Sequence, residues 1–218
     1  MIRVQLVDQL QVTASTLAGR GFDVRDVVVD EPASLGEVEA VEAAIGFALP
    51  AAYRDALLNI SRHVEFRWFA PGEMGFGDPF RENFSGDLHW SLDLTAQLIN
   101  DANSWVDEVF PNADDPYDAV WHNKAAFYDV GNGDYLAFDL SEAQYGSIVY
   151  LSHDDGEGHG HVLAADFADL LGRWVPLACT GGEDWQWLPF TAERTTMIEP
   201  HGPLADGWRE LIGLPRGA

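Results

Sequence analysis

The stretch AFYDVGNGDYLAFDL, Ala126–Leu140, decides the fold, because two strand-like runs flank Gly131-Asn132-Gly133-Asp134. Asn-Gly and the neighbouring glycine accept the positive φ of a tight reversal, so Ala125–Val130 and Tyr135–Leu140 read as a β-hairpin. In the second run Leu136, Phe138 and Leu140 point one way, and Tyr135, Ala137 and Asp139 the other. Ser147–Leu151 forms a third strand after the Tyr145-Gly146 turn. Three strands joined this tightly make an antiparallel meander. The hairpin turn reads as fold maintenance before ligand contact: its glycines permit the bend and Asp134 can bond turn amides.

Downstream of the meander lies a polar loop. Asp166 then caps a helix carrying Phe167, Leu170, Leu171 and Trp174 at i, i+3, i+4 and i+7. Beyond Pro176, Trp185, Trp187 and Phe190 suggest a strand on which Trp185 and Trp187 share a face, a candidate partner surface. A short helix around Leu204–Leu211 follows.

Upstream, Leu92–Val109 reads as a helix with Leu94, Leu98 and Trp105 inward, stopped by Pro111 and followed by the acidic loop Asn112–Asp118. Val64–Trp90 is rich in glycine and aromatics without a clean period, which suggests irregular strands and loops. Ser34 and Glu37 form a capping box for a helix with Leu35, Val38, Val41 and Ile45 on one face. Pro50 opens a second helix with Tyr53, Leu57 and Ile60 aligned. The pair has a helix–turn–helix shape but no basic recognition helix. At the N-terminus Val4, Leu6, Val7, Leu10 and Leu17 have near-helical spacing, Gly19 and Gly21 end that helix, and Val27–Val29 reads as a short strand.

The expected architecture is α+β: a mainly antiparallel sheet of about five or six strands with helices packed around it. Residues 1–218 read as one domain. Its core is 34–174, preceded by a helix/strand element (1–33) and followed by a C-terminal extension (175–218).

Charge is concentrated. Between Glu82 and Gly172 there are eighteen Asp and Glu and one base, Lys124, which accounts for −17 of the formal −24. This stretch also holds the strongest strands, so a folded core tolerates the self-repulsion and the field has a use; the first candidate is a basic protein partner. A pI near 4.3 argues against nucleic acid and anionic membrane surfaces, both of which call for Lys and Arg. The lone Cys179 excludes an internal disulfide framework and fits a reducing cytosol. No signal peptide or run of 18 apolar residues is evident, which points to a cytoplasmic chain.

The motif order resembles the SUKH superfamily, named in part for a yeast cell-wall synthesis regulator. The resemblance is carried by VEAVEAAIGFALPAAYRDALL with Leu49, Pro50 and Tyr53; by the hairpin with Gly131, Gly133, Asp134 and Asp139; by IVYLSHDDGEG; and by AADFADLLGRW with Phe167 and Leu171. It covers roughly Ser34–Trp174. The acidic loop and everything after Pro176 have no counterpart, and Asp166 stands where members often have Ser. The resemblance implies binding rather than catalysis. Bacterial members look like immunity proteins that occlude a cognate polymorphic toxin, often a nuclease with a basic cleft. The alternative it implies is a regulatory or scaffolding interaction module.

The loop Ser152–His161 carries three histidines and three carboxylates, and His153, His159 and His161 raise the further alternative of a metal-dependent hydrolase. The spacing matches neither His-Glu-x-x-His nor an EF-hand, and Gly156, Gly158 and Gly160 loosen the loop. A solvated, partner-touching loop is the expectation, with no metal or cofactor. Ser152, His153 and Asp154 are consecutive and cannot make a triad among themselves. Cys179 reads as a buried inert thiol. Gly75-Phe76-Gly77-Asp78 lacks the third glycine of a dinucleotide fingerprint. No catalytic residue is assigned. The expected partner-binding residues are Asp114, Asp115, Asp118, Asp154, Asp155, Glu157, Trp185 and Trp187.

Overall fold

The computed structural model describes residues 2–192 and 195–216. In chain order the elements are α1 (Arg3–Gly19), β1 (Asp23–Val24), β2 (Val28–Val29), α2 (Leu35–Ile45), α3 (Ala51–Asn59), β3 (His63–Phe69), β4 (Ser85–Ser91), α4 (Leu92–Glu108), α5 (Asp118–Trp121), β5 (Lys124–Asp129), β6 (Tyr135–Asp139), β7 (Ile148–Leu151), β8 (Val162–Ala164), α6 (Phe167–Trp174), α7 (Asp184–Trp187) and α8 (Pro203–Ile212). The α+β, antiparallel architecture is as expected from sequence, but the strands divide between two four-stranded sheets.

The second sheet is the meander β5-β6-β7-β8. At its hairpin Gly131 and Gly133 both have positive φ, and the Val130 amide donates to the Asp134 carbonyl. The first sheet is built on β3, which pairs with β1 and β2 along one edge and with β4 along the other. This corrects the reading of Val64–Trp90 as irregular. β3 and β4 are seven-residue strands in which Val64, Phe66 and Trp68, and Gly86, Leu88 and Trp90, are buried alternately.

Phe167, on α6, joins the two sheets. Its ring meets Trp90 of β4 and Phe127 and Phe138 of the meander, with Tyr53 of α3 alongside. The Asp166 carboxylate caps the helix that carries it, accepting from the Asp169 amide at 2.8 Å. The opposite face of the meander is covered by α4 and the segment after it: Ala102, Phe110 and Trp121 pack with Ala126, Tyr135, Ala137, Val149 and Leu151. On α4 the buried stripe is Leu92, Thr95, Ile99 and Ala102, so Leu94, expected inward, is half exposed. Val4 and Leu35, also placed on apolar helical faces, are exposed as well.

The chain after α6 helps to build the core. Trp208 of α8 packs against Trp68, Phe76 and Phe80, and its indole donates to the Leu177 carbonyl. Residues 179–181 run beside β4, with Asp87 N donating to Cys179 O at 2.8 Å and Gly181 N to Ser85 O at 2.9 Å. Only glycine fits at position 86 in this seam, since a Cβ would lie 2.1 Å from the Trp68 indole nitrogen and 2.6 Å from the Ala178 carbonyl. The stretch with Trp185, Trp187 and Phe190, expected as a strand, is the short helix α7 followed by a 3-10 turn at Leu188–Phe190. Trp187 is consequently buried against Tyr150, while Trp185 stays partly exposed. No described helix is long and apolar enough to cross a membrane.

Candidate functional site

The alternation of β3 and β4 sets His63, Glu65, Arg67 and Phe69 beside Ser91, His89, Asp87 and Ser85 on the face turned from the core. Arg67 pairs with Asp87 at 2.6 Å, and Asp87 also meets His89 at 2.9 Å. The His89 ring stacks on Tyr128 at 3.9 Å, and the Tyr128 hydroxyl donates to the Asp87 carbonyl at 3.2 Å. Burial raises the Tyr128 phenol well above its ordinary value, so it remains a donor. These contacts tie the polar face of the first sheet to the first strand of the meander.

The result is a groove of about 570 Å³. Its floor is this β3–β4 face, one wall is α4 with Leu94, Gln97 and Asp101, and the other is the Asp129–Gly131 hairpin with Gly181–Gln186. At the mouth Phe84, 47% exposed, lies 5.6 Å from the Trp185 ring. The groove carries Glu65, Asp87, Asp101, Asp129 and Glu183 against Arg67. Burial first, then the charges of Asp134, Asp184 and Asp154, hold the Glu183 carboxyl above the usual range.

Beside the groove lies an acidic flank. The Tyr117 hydroxyl donates to Ser152 O at 2.6 Å and accepts from the Asp155 amide at 3.0 Å, joining the 112–118 loop to the 152–161 loop. Trp105 of α4 sits 5.4 Å from His153, which places the end of that helix on the same flank. Asp114, Asp115, Asp154, Asp155 and Glu157 are all exposed there, with Asp118 partly so. Some of them also shape their loops: Asp115 Oδ1 accepts from the Tyr117 amide, Asp118 Oδ2 from the Asn112 amide and Asp154 Oδ1 from the Ser152 hydroxyl. Elsewhere in this stretch Asp87, Asp93, Asp139 and Asp169 have Arg or Lys partners. Among the described residues none of the six flank acids has one.

The three histidines do not converge on a common point. His159 is held at both nitrogens, with Nδ1 accepting from the Ser152 amide at 3.0 Å and Nε2 donating to Tyr117 O at 3.0 Å, and its ring stacks on Tyr117 at 3.8 Å. Burial depresses its pKa. His161 lies near Trp187. The one group among the described residues with ligand atoms within 4.8 Å of one another is Asp134, His153 and Asp154. There Asp134 is already spent on the fold. It accepts from the Tyr150 hydroxyl at 2.5 Å, from the His153 amide at 2.8 Å and Nδ1 at 2.7 Å, and from Asn132 Nδ2 at 3.0 Å. A carboxylate so occupied pins the hairpin to the loop. Cys179 is fully buried, and that burial raises its thiol pKa well above the ordinary value, as suits an inert core residue.

The structure thus brings the six predicted acids onto one flank. Trp187 is removed from the surface, and Trp185 is turned toward Phe84. The groove itself escaped the sequence reading. Its signal was the period-two pattern of Val64, Phe66 and Trp68 against Glu65 and Arg67.

Compared with known proteins, residues 32–173 match the family model described as SMI1 / KNR4 family (SUKH-1). No curated protein matches the chain.

Proposed function

Because the chain belongs to the SMI1 / KNR4 family (SUKH-1), whose members are generally immunity or regulatory modules rather than enzymes, we propose that it is an immunity protein. In this reading it binds a basic, nuclease-like toxin domain in the cytosol of the producing cell and neutralises it by occlusion. The whole chain acts as one unit, with 34–174 the family core and 175–218 completing it. It performs no chemistry of its own.

The observation that carries this reading is the flank, where the 112–118 and 152–161 loops meet, of carboxylates that have no Arg or Lys partner among the described residues. One-signed charge left without counter-ions costs stability through self-repulsion, and it returns that cost when a complementary surface docks. Asp114, Asp115, Asp118, Asp154, Asp155 and Glu157 attract the partner, and Trp185 sits close enough to add an aromatic contact. A nuclease cleft shaped for phosphates presents the Lys and Arg such a surface needs.

The test is to identify what the adjacent gene encodes and, where that is a toxin domain, to co-express the two. Cells expressing both chains should survive where the toxin domain alone kills, and the two should co-purify. Toxicity unchanged by the chain, with no complex formed, would reject the reading. Recovery instead of a stable complex with a non-toxic host protein would favour a regulatory module.

A further inference from the structure

Building on that reading, we propose that the docking centre is the groove between the polar β3–β4 face and the Asp129–Gly131 hairpin. Its occupant is an arginine-bearing loop or extended segment of the basic partner. The outer acidic loops act mainly at a distance.

Charge and shape both support this division of labour. Arg67, the groove's one Lys or Arg, already has its guanidinium on Asp87 at 2.6 Å, so it offers little opposition to an incoming cation. Carboxylates remain on both walls: Asp101 on α4, and Asp129 with Glu183 opposite. None of these three has a cationic partner among the described residues. Glu183 accepts only neutral hydrogen bonds, from the Trp185 side chain and, at 3.5 Å, from Asn132 Nδ2. A partly buried carboxyl crowded by other acids is relieved by a guanidinium, which can bridge two carboxylates through its planar donors. The mouth adds a second attraction. Phe84 and Trp185 present aromatic surface beside Glu183, where the arginine stem can pack and its guanidinium can lie over a ring. Asp114 and Asp115 both stand exposed on a loop outside the groove. Charges of that kind set the rate of encounter more than the lifetime of the complex.

The experiment titrates the full-length, isotope-labelled chain with a blocked peptide alternating glycine and arginine, followed by amide and indole chemical shifts. Shifts are expected at Glu65, Asp87, Asp101, Asp129 and residues 181–186, including the Trp185 indole. The same peptide with citrulline for arginine should leave them unmoved. Two variants that lose the same net charge then separate local contact from general attraction. Asp101→Asn with Glu183→Gln should weaken binding about tenfold or more, and Asp114→Asn with Asp115→Asn less than about twofold. Shifts centred on 112–118 and 153–157, equal weakening by the two variants, or no saturable binding would overturn the proposal. The wild-type shift map stands even if a variant folds poorly. Survival on co-expression is a separate readout, so an empty groove and a failed immunity assignment remain distinguishable.

Discussion

β3 and β4 alternate buried residues with exposed or partly exposed ones along their length, whereas β6 and β7 are buried at every position. The first sheet therefore keeps one face open to solvent, and its residues there are His, Glu, Arg, Asp and Ser, with Phe69 at the end. The meander is sealed on both faces, by α6 with α3 on one side and by α4 with the Phe110–Trp121 segment on the other. Yet the sealed half carries most of the negative charge, displaced onto the loops and helix that cover it. The contrast separates stability from the proposed recognition: the meander is the buried support, and in the proposed reading its coverings and the neighbouring open sheet face meet the partner. The groove lies where the two sheets adjoin.

The comparison can be broken most severely at its hinge. Phe167→Ala removes the ring that touches Trp90 of one sheet and Phe127 and Phe138 of the other, and should cost about 3–5 kcal/mol in urea unfolding. Glu65→Gln, on the open face, should change stability by no more than about 0.5 kcal/mol. Similar losses for both would erase the distinction between sealed and open layers. Next in size is Asp134→Ala, which leaves the Tyr150 hydroxyl and the His153 amide without their acceptor. About 3 kcal/mol is expected, with increased amide exchange in the 131–134 turn and the 152–161 loop. Unchanged exchange in that loop would show that the carboxylate does not pin it.

The smallest effect concerns pH. Burial depresses the His159 pKa, so the folded chain takes up this proton less readily than the unfolded chain. Its contribution is complete above the unfolded value near 6.5. It is lost as pH falls through the depressed folded value, because a protonated Nδ1 can no longer accept from the Ser152 amide. His159→Gln should remove that component, so the stability difference between wild type and variant narrows on acidification from pH 7 to pH 5. A difference that stays constant or widens would contradict the assignment.

The legible parts of this fold were those whose cause is local. Asn132-Gly133 announces its turn, Asp166 its helix, and the apolar runs Ala125–Tyr128 and Ile148–Leu151 their strands, because strands buried on both faces carry few polar interruptions. β3 was obscured for a physical reason: Phe69 lies outward at its end, and Gly86 interrupts the apolar set of β4 where Trp68 crosses. Trp185 and Trp187 were misread because an i, i+2 aromatic pair suits a strand and a single helical turn alike. The helix prevails as Asp184 ties the Trp185 and Gly158 amides together and Trp187 fills the space under Tyr150. The six flank acids could be named individually, but their convergence depends on Tyr117 meeting Ser152 and His159, contacts that span 35 and 42 residues. No local pattern encodes such a contact.

The central claim, that the acidic flank and groove serve to dock a basic protein, is tested most directly by the association rate of the chain with its cognate partner as salt is raised. At an ionic strength of about 0.01 M charges act over about 30 Å, and at 0.15 M over about 8 Å. The account predicts an on-rate that falls by about tenfold or more between these conditions, with a much smaller change in the dissociation rate. An on-rate indifferent to salt would contradict it.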